Sequence, residues 1–478
     1  MNLDDLLFTT YGFASFRPGQ REVIEAVLEG QDVIALLPTG MGKSLCYQLP
    51  AHQLRGSVVI VSPLLSLMQD QVSQLKKMGE KSVVAINSFM KSEDKAKVWK
   101  HLSSYRFIFI SPEMLTQDFV KRQLQRIQVS LLVADEAHCI SQWGFDFRPD
   151  YLRIAEVIPL LGHPQVLALT ATATPKVTSE IKKYLAIENP FVYQHPMDRP
   201  NISYDVRKFK TQDEKTDWLV DFVTNFEGPG IVYAGTRKKS EHLAALLTEA
   251  GLAASYYHGG MEHQDRIFVQ QQFQNGELQW VCSTNAFGMG VHIANIRHVI
   301  HFQMPTSVEG YVQEVGRAGR DGEPALATLL YADGDEALVE SLLIDELPTE
   351  HEIYTVHKNG IQASSLVEQG IIRETAFRVI SYWLNQLGVE GTLQQIGKMQ
   401  SEKLKQAAKM RGLIVGGRCI RDYLLECFNQ QTDRKPANCC SFEGVDYTVY
   451  RKRILKTTPD TLTSWEARIQ ALMPMKNG

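Results

Sequence analysis

The first candidate for chemistry is the stretch Pro38-Thr39-Gly40-Met41-Gly42-Lys43-Ser44, which follows the apolar run 33–37. Gly40 and Gly42 allow backbone N–H groups to surround an anion, and the start of a helix there adds partial positive charge. Lys43 can reach the β- and γ-phosphates of a nucleotide, and the hydroxyl of Ser44 can bind Mg²⁺. The stretch lacks the first glycine of a full phosphate loop, so an ordinary Gly-rich turn with an exposed lysine is the alternative.

An acidic motif, Asp135-Glu136-Ala137-His138, directly follows the apolar run 131–134. At the end of a strand, Asp135 can hold Mg²⁺ through water, and Glu136 can polarise a water that attacks the γ-phosphate. An ordinary acidic loop is the alternative. Because Lys43 lies upstream in the same strand pattern, we favour the catalytic interpretation.

Arginines suited to a third role lie in the stretch 313–322, where Arg317 and Arg320 are three residues apart. This spacing at the start of a helix places both side chains on one face. An arginine aimed at a transferring phosphoryl group from a neighbouring domain is an arginine finger. The spacing therefore favours an enzyme that hydrolyses ATP only when two domains close, with a solvated basic turn as the alternative.

A nucleobase pocket is one interpretation of the residues that precede the phosphate loop. Phe13 and Arg17 can stack on a base, and Gln20 can form hydrogen bonds with its edge. Helix capping and side-chain packing are the alternative.

Aromatic residues are concentrated just after the acidic motif, at Trp143, Phe145 and Phe147, next to Arg148. Bases of single-stranded nucleic acid stack on such rings, and an arginine contacts phosphate or stacks as well. The alternative is a small hydrophobic cluster beneath a loop.

Two series of β-rich apolar runs alternate with helical segments. The runs lie at 57–62, 82–86, 107–110, 131–134 and 166–169, and again at 230–234, 253–257, 279–283 and 298–302. Continuous rather than alternating apolar runs indicate strands that are covered on both faces of a parallel sheet. Helices are predicted at 20–28, 236–250 and 262–273, and residues 189–201 are predicted to connect the two series. The second series has no phosphate loop, so its role must differ.

Composition sets wide bounds on function. The 478 residues suggest about three domains, and 44% hydrophobic with 22% charged residues is ordinary for a globular protein. A net charge of −4 neither supports nor excludes nucleic acid, because basic residues can be concentrated in one groove. Seven cysteines suggest a reducing compartment rather than a disulfide framework. Without a signal core or a membrane-length apolar run, we expect a cytoplasmic protein.

A possible helix-turn-helix unit follows the second series. Residues 364–370 are predicted to form a short helix that ends in glycine, and residues 373–384 a second one, with Val389 onward as a possible wing. Plain packing of two helices is the alternative.

Together these motifs resemble superfamily 2 helicases, and the match to the RecQ family of ATP-dependent DNA helicases covers roughly residues 3–331. The discriminating stretches are 11–20, the aromatic loop 141–148 and the segment 282–291 with Ala286-Phe287-Gly288-Met289-Gly290. The resemblance is to the short bacterial RecS-like branch. It implies an α/β fold with two tandem RecA-like parallel-sheet domains plus a small, mostly α-helical C-terminal region.

The resemblance also implies roles for individual residues. Adenine would be held by Phe13, Arg17 and Gln20, and the γ-phosphate would be sensed or stabilised by Arg317 and Arg320. The phosphates and magnesium would be held by the loop residues Thr39, Gly40, Met41, Gly42, Lys43 and Ser44, with Asp135 and Glu136 serving metal and water. Trp143, Phe145, Phe147 and Arg148 would couple single-stranded DNA binding to hydrolysis.

Two features depart from the family pattern. Asn285 and His292 stand where relatives usually carry other residues, and we expect a tuned rather than lost DNA contact. The family's four-cysteine zinc module is also incomplete. Cys419 and Cys439 are the candidate zinc ligands, Cys427 is a possible substitute, and Cys439 beside Cys440 is an unfavourable geometry for two ligands. Because a structural zinc site needs four ligands, buried free cysteines are the favoured alternative to bound zinc.

The resemblance implies a helicase that uses ATP and Mg²⁺, translocates 3′ to 5′ on single-stranded DNA and unwinds duplex DNA in repair, recombination or replication. Expected partners are single-stranded and duplex DNA, and single-stranded-DNA-binding or other repair proteins, in the bacterial cytosol or nucleoid. The alternatives are an ATP-switched DNA-binding or annealing factor that does not unwind, and an RNA helicase. The predicted domains are 1–200 (ATP-binding), 201–345 (second RecA-like), 346–410 (helical, a candidate helix-turn-helix or winged unit) and 411–478 (cysteine-containing).

The aromatic loop generates a prediction. Trp143→Ala should retain basal ATP binding but lose the stimulation of ATP hydrolysis by single-stranded DNA, because the ring would no longer stack on a base. The rate of ATP hydrolysis with and without single-stranded DNA measures this. Full stimulation in the variant would mean that the aromatic residues only pack.

Overall fold

The first of two parallel sheets has seven strands. The structure, a computed structural model, describes residues 2–87, 90–141, 148–226, 228–287, 293–432 and 434–450. The strand order is β3-β4-β2-β5-β6-β1-β7, and every neighbouring pair is parallel. The strands are β1 (Val33–Leu36), β2 (Ser57–Val61), β3 (Val83–Ile86), β4 (Phe107–Ile110), β5 (Val129–Ala134), β6 (Gln165–Thr170) and β7 (Phe191–Gln194). This sheet and its helices are called the first lobe.

The second sheet has six strands in the order β10-β11-β9-β12-β13-β8, again all parallel. Its strands are β8 (Ile202–Phe209), β9 (Gly230–Tyr233), β10 (Ala254–Tyr257), β11 (Trp280–Ser283), β12 (His298–His301) and β13 (Ala325–Ala332). This sheet and its helices are called the second lobe. The α/β class and the tandem parallel sheets are therefore confirmed.

Helices cover both sheets and form the C-terminal region. Those of the first lobe are α1 (Leu3–Tyr11), α2 (Gln20–Leu28), α3 (Leu45–Gln48), α4 (Leu65–Lys77), α5 (Ser92–Lys100), α6 (Pro112–Leu115), α7 (Asp118–Leu124), α8 (Ile154–Val157) and α9 (Pro175–Tyr184). The second lobe has α10 (Gln212–Asn225), α11 (Arg237–Glu249), α12 (His263–Gln274) and α13 (Val308–Val315). The C-terminal region has α14 (Asp335–Glu346), α15 (Glu350–Asn359), α16 (Ser364–Glu368), α17 (Glu374–Val415) and α18 (Ile420–Cys427). Among the described helices, none combines the length and the apolar character needed to cross a membrane.

Burial on both faces explains why the apolar runs form central strands. In β2, all five residues are buried, and alternate side chains enter opposite cores: Val59 packs on one face of the sheet and Val58 on the other. Each lobe therefore has two cores separated by its sheet. This is the arrangement that continuous apolar runs predict.

Most predicted elements are found, with two differences. The helix predicted at 20–28 is found as Gln20–Leu28, and the helix after Thr236 begins with the Thr236 hydroxyl accepting a bond from the backbone N–H of Lys239. The segment 189–201 is not only a connection, since it contains the edge strand β7 paired with β1. The wing predicted from Val389 is wrong, because these residues continue the helix α17 to Val415.

The long helix α17 contacts both lobes. Its one non-helical residue, Gly388 (φ +66°), divides it at a kink. Ion pairs join it to the first lobe, where Arg378 lies 3.2 Å from Asp150. Beyond the kink, Met410 and Leu413 enter a core of the second lobe. The C-terminal helical region therefore packs against both lobes.

The cysteine-containing segment is attached to the edge of the second sheet. The backbone N–H of Tyr204 in β8 donates to the carbonyl of Cys439 (3.1 Å), and the N–H of Ser441 donates to the carbonyl of Tyr204 (2.8 Å). Cys440 thus forms a parallel bridge beside β8. The chain around Cys439 and Cys440 covers an edge that would otherwise expose unpaired backbone groups.

A buried ion pair connects the sheet of the second lobe to two of the helices that pack around it. Lys215 Nζ lies 2.6 Å from a carboxylate oxygen of Asp335, and both side chains are almost completely buried. Asp335 also accepts bonds from the side chain of Gln212 (2.7 Å) and the backbone N–H of Ala332 (3.0 Å). One carboxylate therefore joins α10, β13 and α14.

Lys215→Met should destabilise the second lobe by about 3–5 kcal/mol, because it leaves the carboxylate of Asp335 buried without its cation. The midpoint of thermal unfolding measures this. The control is Lys97→Met, since Lys97 and Asp94 form an exposed pair at 3.9 Å and its loss should change stability by less than about 0.5 kcal/mol. Equal shifts in the two variants would contradict the assignment.

Candidate nucleotide site and interlobe cleft

The candidate site is a cleft of about 300 Å³ at the carboxyl ends of β1 and β5, closed on its other side by the second lobe. Ligands of parallel α/β sheets bind at this edge. The lining residues are Arg17, Thr39, Gly40, Gly42, Lys43, Ser44, Tyr47, Leu67, Gln71, Asp135, Glu136, Ile293, Ala294, Gln313, Arg317 and Arg320. The cleft therefore brings together the phosphate loop, the acidic motif and both candidate arginines.

The phosphate loop has the backbone conformation that its glycines predict. Gly40 (φ +86°) and Gly42 (φ +73°) are both left-handed. A Cβ atom on Gly42 would lie 2.7 Å from Gln20 Nε2, and one on Gly40 would lie 3.1 Å from Cδ of Arg320. Both positions thus need glycine for conformation and for space.

Lys43 and Glu136 meet inside the cleft. Lys43 Nζ lies 3.3 Å from Glu136 Oε1, and both side chains are largely buried. His138 Nδ1 lies 3.3 Å from the other carboxylate oxygen. Burial alone would raise the pKa of Glu136, but Lys43 and His138 outweigh it and hold this pKa well below its usual value. Glu136 is therefore a carboxylate at neutral pH, as a group that orients water requires.

The pKa of the neighbouring Asp135 is shifted in the opposite direction. Burial, followed by the charge of Glu136, raises the pKa of Asp135 to about 6. Its Oδ1 accepts the backbone N–H of Glu136 (3.0 Å), and its backbone carbonyl accepts the hydroxyl of Tyr151 (2.7 Å). Glu136 itself has φ +49°, an uncommon conformation for a residue with a side chain. The tight turn places both carboxyl groups in the cleft.

A buried histidine connects the acidic motif to the neighbouring strand. His138 Nδ1 lies 3.0 Å from Oγ1 of Thr170, the last residue of β6. Thr170 Oγ1 in turn lies 3.3 Å from the carbonyl of Thr172. These contacts connect Glu136, through His138, to the end of β6.

The second lobe contacts the phosphate loop directly. Thr39 Oγ1 donates to the carbonyl of Gly316 at 3.0 Å. Next to it, the side chain of Arg320 packs over Gly40. Burial, with the positive charges of Arg317 and Arg199, lowers the pKa of Arg320 to about 9. Arg317 and Arg320 line the cleft and Arg199 lies close to them, so the positive charge on this side of the cleft favours an anionic ligand.

The predicted adenine pocket is only partly assembled. The guanidinium of Arg17 donates to the carbonyl of Gly40, and Gln20 Nε2 donates to the carbonyls of Met41 (2.8 Å) and Gly42 (3.1 Å). Phe13 is 53% exposed and does not line the cleft. Gln20 and Met41 are not among the lining residues either, and the hydrogen bonds of Gln20 support the loop.

Three of the four predicted DNA-binding residues, Trp143, Phe145 and Phe147, lie outside the described residues, as does His292. Arg148 is described, and its guanidinium donates to the carbonyl of Pro63 at 3.0 Å. Asn285 is exposed. Of the four predicted DNA-binding residues, the structure therefore describes only Arg148, at the end of the aromatic loop.

The cysteine cluster differs from expectation. Cys419 Sγ lies 3.7 Å from the sulfur atoms of both Cys439 and Cys440, so the adjacent cysteines do meet at one point. A carboxylate oxygen of Glu443 lies within 4.8 Å of these sulfurs. Cys427 is not part of this group. Cys439 beside Cys440 was expected to be an unfavourable geometry for two ligands, yet both sulfur atoms lie near Cys419 at the start of α18, in a segment that forms a bridge to β8.

Several lining residues have no motif to reveal them. Tyr47 and Gln71, joined by a hydrogen bond of 3.2 Å, lie on α3 and α4 with the pattern of ordinary packing residues. Gln313 also lines the cleft, and its place as the first residue of the arginine stretch 313–322 is a signal that the sequence does contain. Ile293 and Ala294 reach the cleft only because the second lobe folds against the first.

Two family profiles match the chain. The profile of DEAD/DEAH box helicases matches residues 17–181, and that of the helicase conserved C-terminal domain matches residues 214–322. The fold is similar to that of the DUF1998 helicase MrfA bound to DNA (TM-score 0.60, 19% identity, 71% of this chain and 52% of that one). It is also similar to the DEAD-box helicase Mss116 bound to single-stranded RNA (TM-score 0.60, 16% identity, 85% and 95%). Fold and cleft define a two-lobed RecA-like helicase motor.

Sequence similarity narrows this class. The probable ATP-dependent DNA helicase RecS of Bacillus subtilis (strain 168) is 40% identical over 487 residues, which cover 99% of this chain and 98% of RecS. The ATP-dependent DNA helicase RecQ of Pasteurella multocida (strain Pm70) is 41% identical over 346 residues, 72% of this chain and 54% of that RecQ. The chain thus spans about half the length of this RecQ. It belongs to the RecQ/RecS family of helicases.

Proposed function

We propose that the protein is an ATP-dependent DNA helicase that moves 3′ to 5′ on single-stranded DNA. One observation carries the proposal: a single cleft holds the Lys43–Glu136 pair from one lobe and two arginines, Arg317 and Arg320, from the other. The DNA helicases RecS and RecQ support DNA rather than RNA as the substrate. Two lobes that share one nucleotide site convert hydrolysis into relative motion.

The roles of the residues follow from their positions. Lys43 and the backbone of the loop from Thr39 to Ser44 bind the phosphates of ATP, with Arg17 at the mouth of the cleft. Ser44 and Asp135 supply the oxygen atoms that suit Mg²⁺, which would stabilise charge on the phosphates. Glu136 orients the attacking water, because its carboxylate stays charged beside Lys43.

The arginines act only when the lobes are closed. Arg320 reaches Gly40 across the lobe boundary, so its guanidinium lies where charge develops during phosphoryl transfer. Opening the lobes removes it. Phe13 would stack on the base of ATP. Trp143, Phe145, Phe147 and Arg148 would couple DNA binding to hydrolysis, because they follow the acidic motif along the chain.

The proposed division of the chain is an ATP-binding domain at 1–200, a second RecA-like domain at 201–345, a helical unit at 346–410 and a cysteine-containing segment at 411–478. Partners would be single-stranded and duplex DNA and the proteins that coat or repair it. The bacterial cytosol or nucleoid is the proposed location, since RecS and RecQ are bacterial DNA helicases.

Lys43→Ala should lower kcat for DNA-stimulated ATP hydrolysis at least about 100-fold, because a cation is lost from the phosphates. Glu136→Gln should lower it about 10²–10⁴-fold while ATP still binds. A matched control is Lys100→Ala, on the exposed face of α5. The wild-type protein should open a 3′-tailed duplex and not a 5′-tailed one.

Three outcomes would redirect this assignment. An unchanged rate in Lys43→Ala would contradict the catalytic site. Stimulated hydrolysis without strand separation would favour the ATP-switched DNA-binding or annealing factor. Equal stimulation by RNA and DNA would favour an RNA helicase.

The cysteine cluster fits zinc. In a tetrahedral site with Zn–S bonds of about 2.3 Å, the sulfurs are about 3.8 Å apart, and Cys419 lies 3.7 Å from both Cys439 and Cys440. Three thiolates, Glu443 and Zn²⁺ have a net charge of −2. Arg421 Nε lies 3.4 Å from Cys439 Sγ, and Lys435 Nζ lies 3.0 Å from Glu443, so two cations balance that charge. Zinc there would cross-link α18 to the segment beside β8.

Purified protein should contain about one zinc per chain by elemental analysis. Cys440→Ser should lower the zinc content and the midpoint of thermal unfolding, because one ligand is lost. Cys427→Ser is the control, since Cys427 is a partly buried cysteine at the end of α18 that lies outside the cluster. Protein without zinc, or equal zinc loss in both variants, would support buried free cysteines instead.

A further inference from the structure

Arg421 is a buried arginine that holds the linker between the lobes. It lies in α18, two residues after Cys419, and is 1% exposed. Its guanidinium donates to the carboxylate of Asp198 and to the carbonyls of Arg199 (3.2 Å) and Ile202 (2.5 Å). A planar guanidinium presents its donors as a fixed fork on three nitrogen atoms, and a lysine, whose donors share one nitrogen atom, does not reproduce this geometry. The side chain thereby fixes the backbone of residues 198–202.

The linker in turn holds the loop that carries the candidate arginines. Arg199 Nη2 donates to the carbonyls of Gly319 (2.6 Å) and Ala318 (3.2 Å), and Asn201 Nδ2 donates to the carbonyl of Gly319 (2.8 Å). Gly319 lies between Arg317 and Arg320. A Cβ atom on Gly319 would be 2.4 Å from Asn201 Nδ2, so the linker packs tightly against the loop at this glycine.

These contacts form a short route from the cysteine segment to the nucleotide cleft. Arg421 fixes the backbone of Arg199, the side chain of Arg199 fixes the backbone of Gly319, and the next residue is Arg320, whose side chain packs over Gly40. Neither Arg421 nor Arg199 lines the cleft. Both therefore act on the cleft from outside it, through the position of the arginine loop and, for Arg199, also through its charge near Arg320.

We propose that Arg421 and Arg199 are positioning residues that align Arg320 with the phosphates, so that the cysteine-containing segment controls the rate of ATP hydrolysis without contacting nucleotide. This inference rests on the proposed function, since it assumes that the arginines act in hydrolysis. Displacement of a catalytic group by about 1 Å costs up to about 100-fold in rate. A purely structural Arg421 would instead change the amount of folded protein.

The first test compares Arg421→Lys with Arg418→Lys. Both replace an arginine at the start of α18, but Arg418 pairs with Glu426 (2.7 Å) and does not contact the linker. Arg421→Lys should lower kcat with saturating single-stranded DNA about 10- to 100-fold, while the KM for ATP and the Kd for DNA stay within about twofold. Arg418→Lys should match the wild type. An unchanged kcat in Arg421→Lys would overturn the proposal.

The second test is a double-mutant cycle with Arg320→Ala. If Arg421 acts through Arg320, the double variant should hydrolyse ATP no more slowly than Arg320→Ala alone. Multiplying losses would overturn the proposal, because they would show that Arg421 acts by another route. Binding of ADP with aluminium fluoride, which mimics the transferring phosphoryl group, should weaken in Arg421→Lys while binding of ADP alone does not.

If Arg421→Lys lowers the midpoint of thermal unfolding too far for kinetics, Arg199→Lys takes its place in the same cycle, since it leaves the contacts of α18 with the linker carbonyls intact. Non-additivity with Arg320→Ala supports the proposal, and additivity overturns it. Wild-type protein that shows no DNA-stimulated hydrolysis would instead contradict the proposed function, so the two failures are distinguishable.

Discussion

The contact of Arg320 with Gly40 across the lobe boundary is the constraint on which the rest of the structure depends. It requires a glycine with positive φ in the phosphate loop, because a Cβ atom would lie 3.1 Å from the arginine side chain. It also requires the two sheets to face each other at their carboxyl edges. Neither lobe alone contains both the phosphate loop and the two arginines of the cleft. In the proposed mechanism, catalysis therefore depends on the relative position of the lobes.

That condition explains why so many charged groups are buried near the lobe boundary. Lys43, Glu136 and Arg320 would each be costly to bury alone. In the cleft they offset one another, and the remaining excess of positive charge suits a polyphosphate. Elements of the C-terminal region also contact this boundary. Helix α17 contacts both lobes, and Arg421 ties the linker to the cysteine segment, so the C-terminal region contacts each moving part.

The local parts of this arrangement can be predicted from sequence because local chemistry produces them. The strands follow from continuous apolar runs, the phosphate loop from two glycines before Lys43, and the acidic turn from its place after β5. Side chains such as Tyr47, Gln71 and Ile293 reach the cleft through packing of distant segments, and no spacing marks them. The wing expected at Val389 was wrong because tertiary packing of Met410 and Leu413 keeps the chain helical beyond the Gly388 kink.

The cysteines show the same limit of sequence reasoning. From sequence alone, Cys439 beside Cys440 is an unfavourable geometry for two ligands, since successive side chains of an extended segment point to opposite faces. Both reach Cys419 because the chain there is only a single bridge beside β8 and turns immediately afterwards, with the N–H of Glu443 donating to the carbonyl of Cys440 (3.0 Å). A turn fixed by a distant strand changes which residues converge. The same strand begins at Ile202, whose carbonyl Arg421 holds. The cysteine segment and the interlobe linker therefore both contact the same strand at the edge of the second sheet.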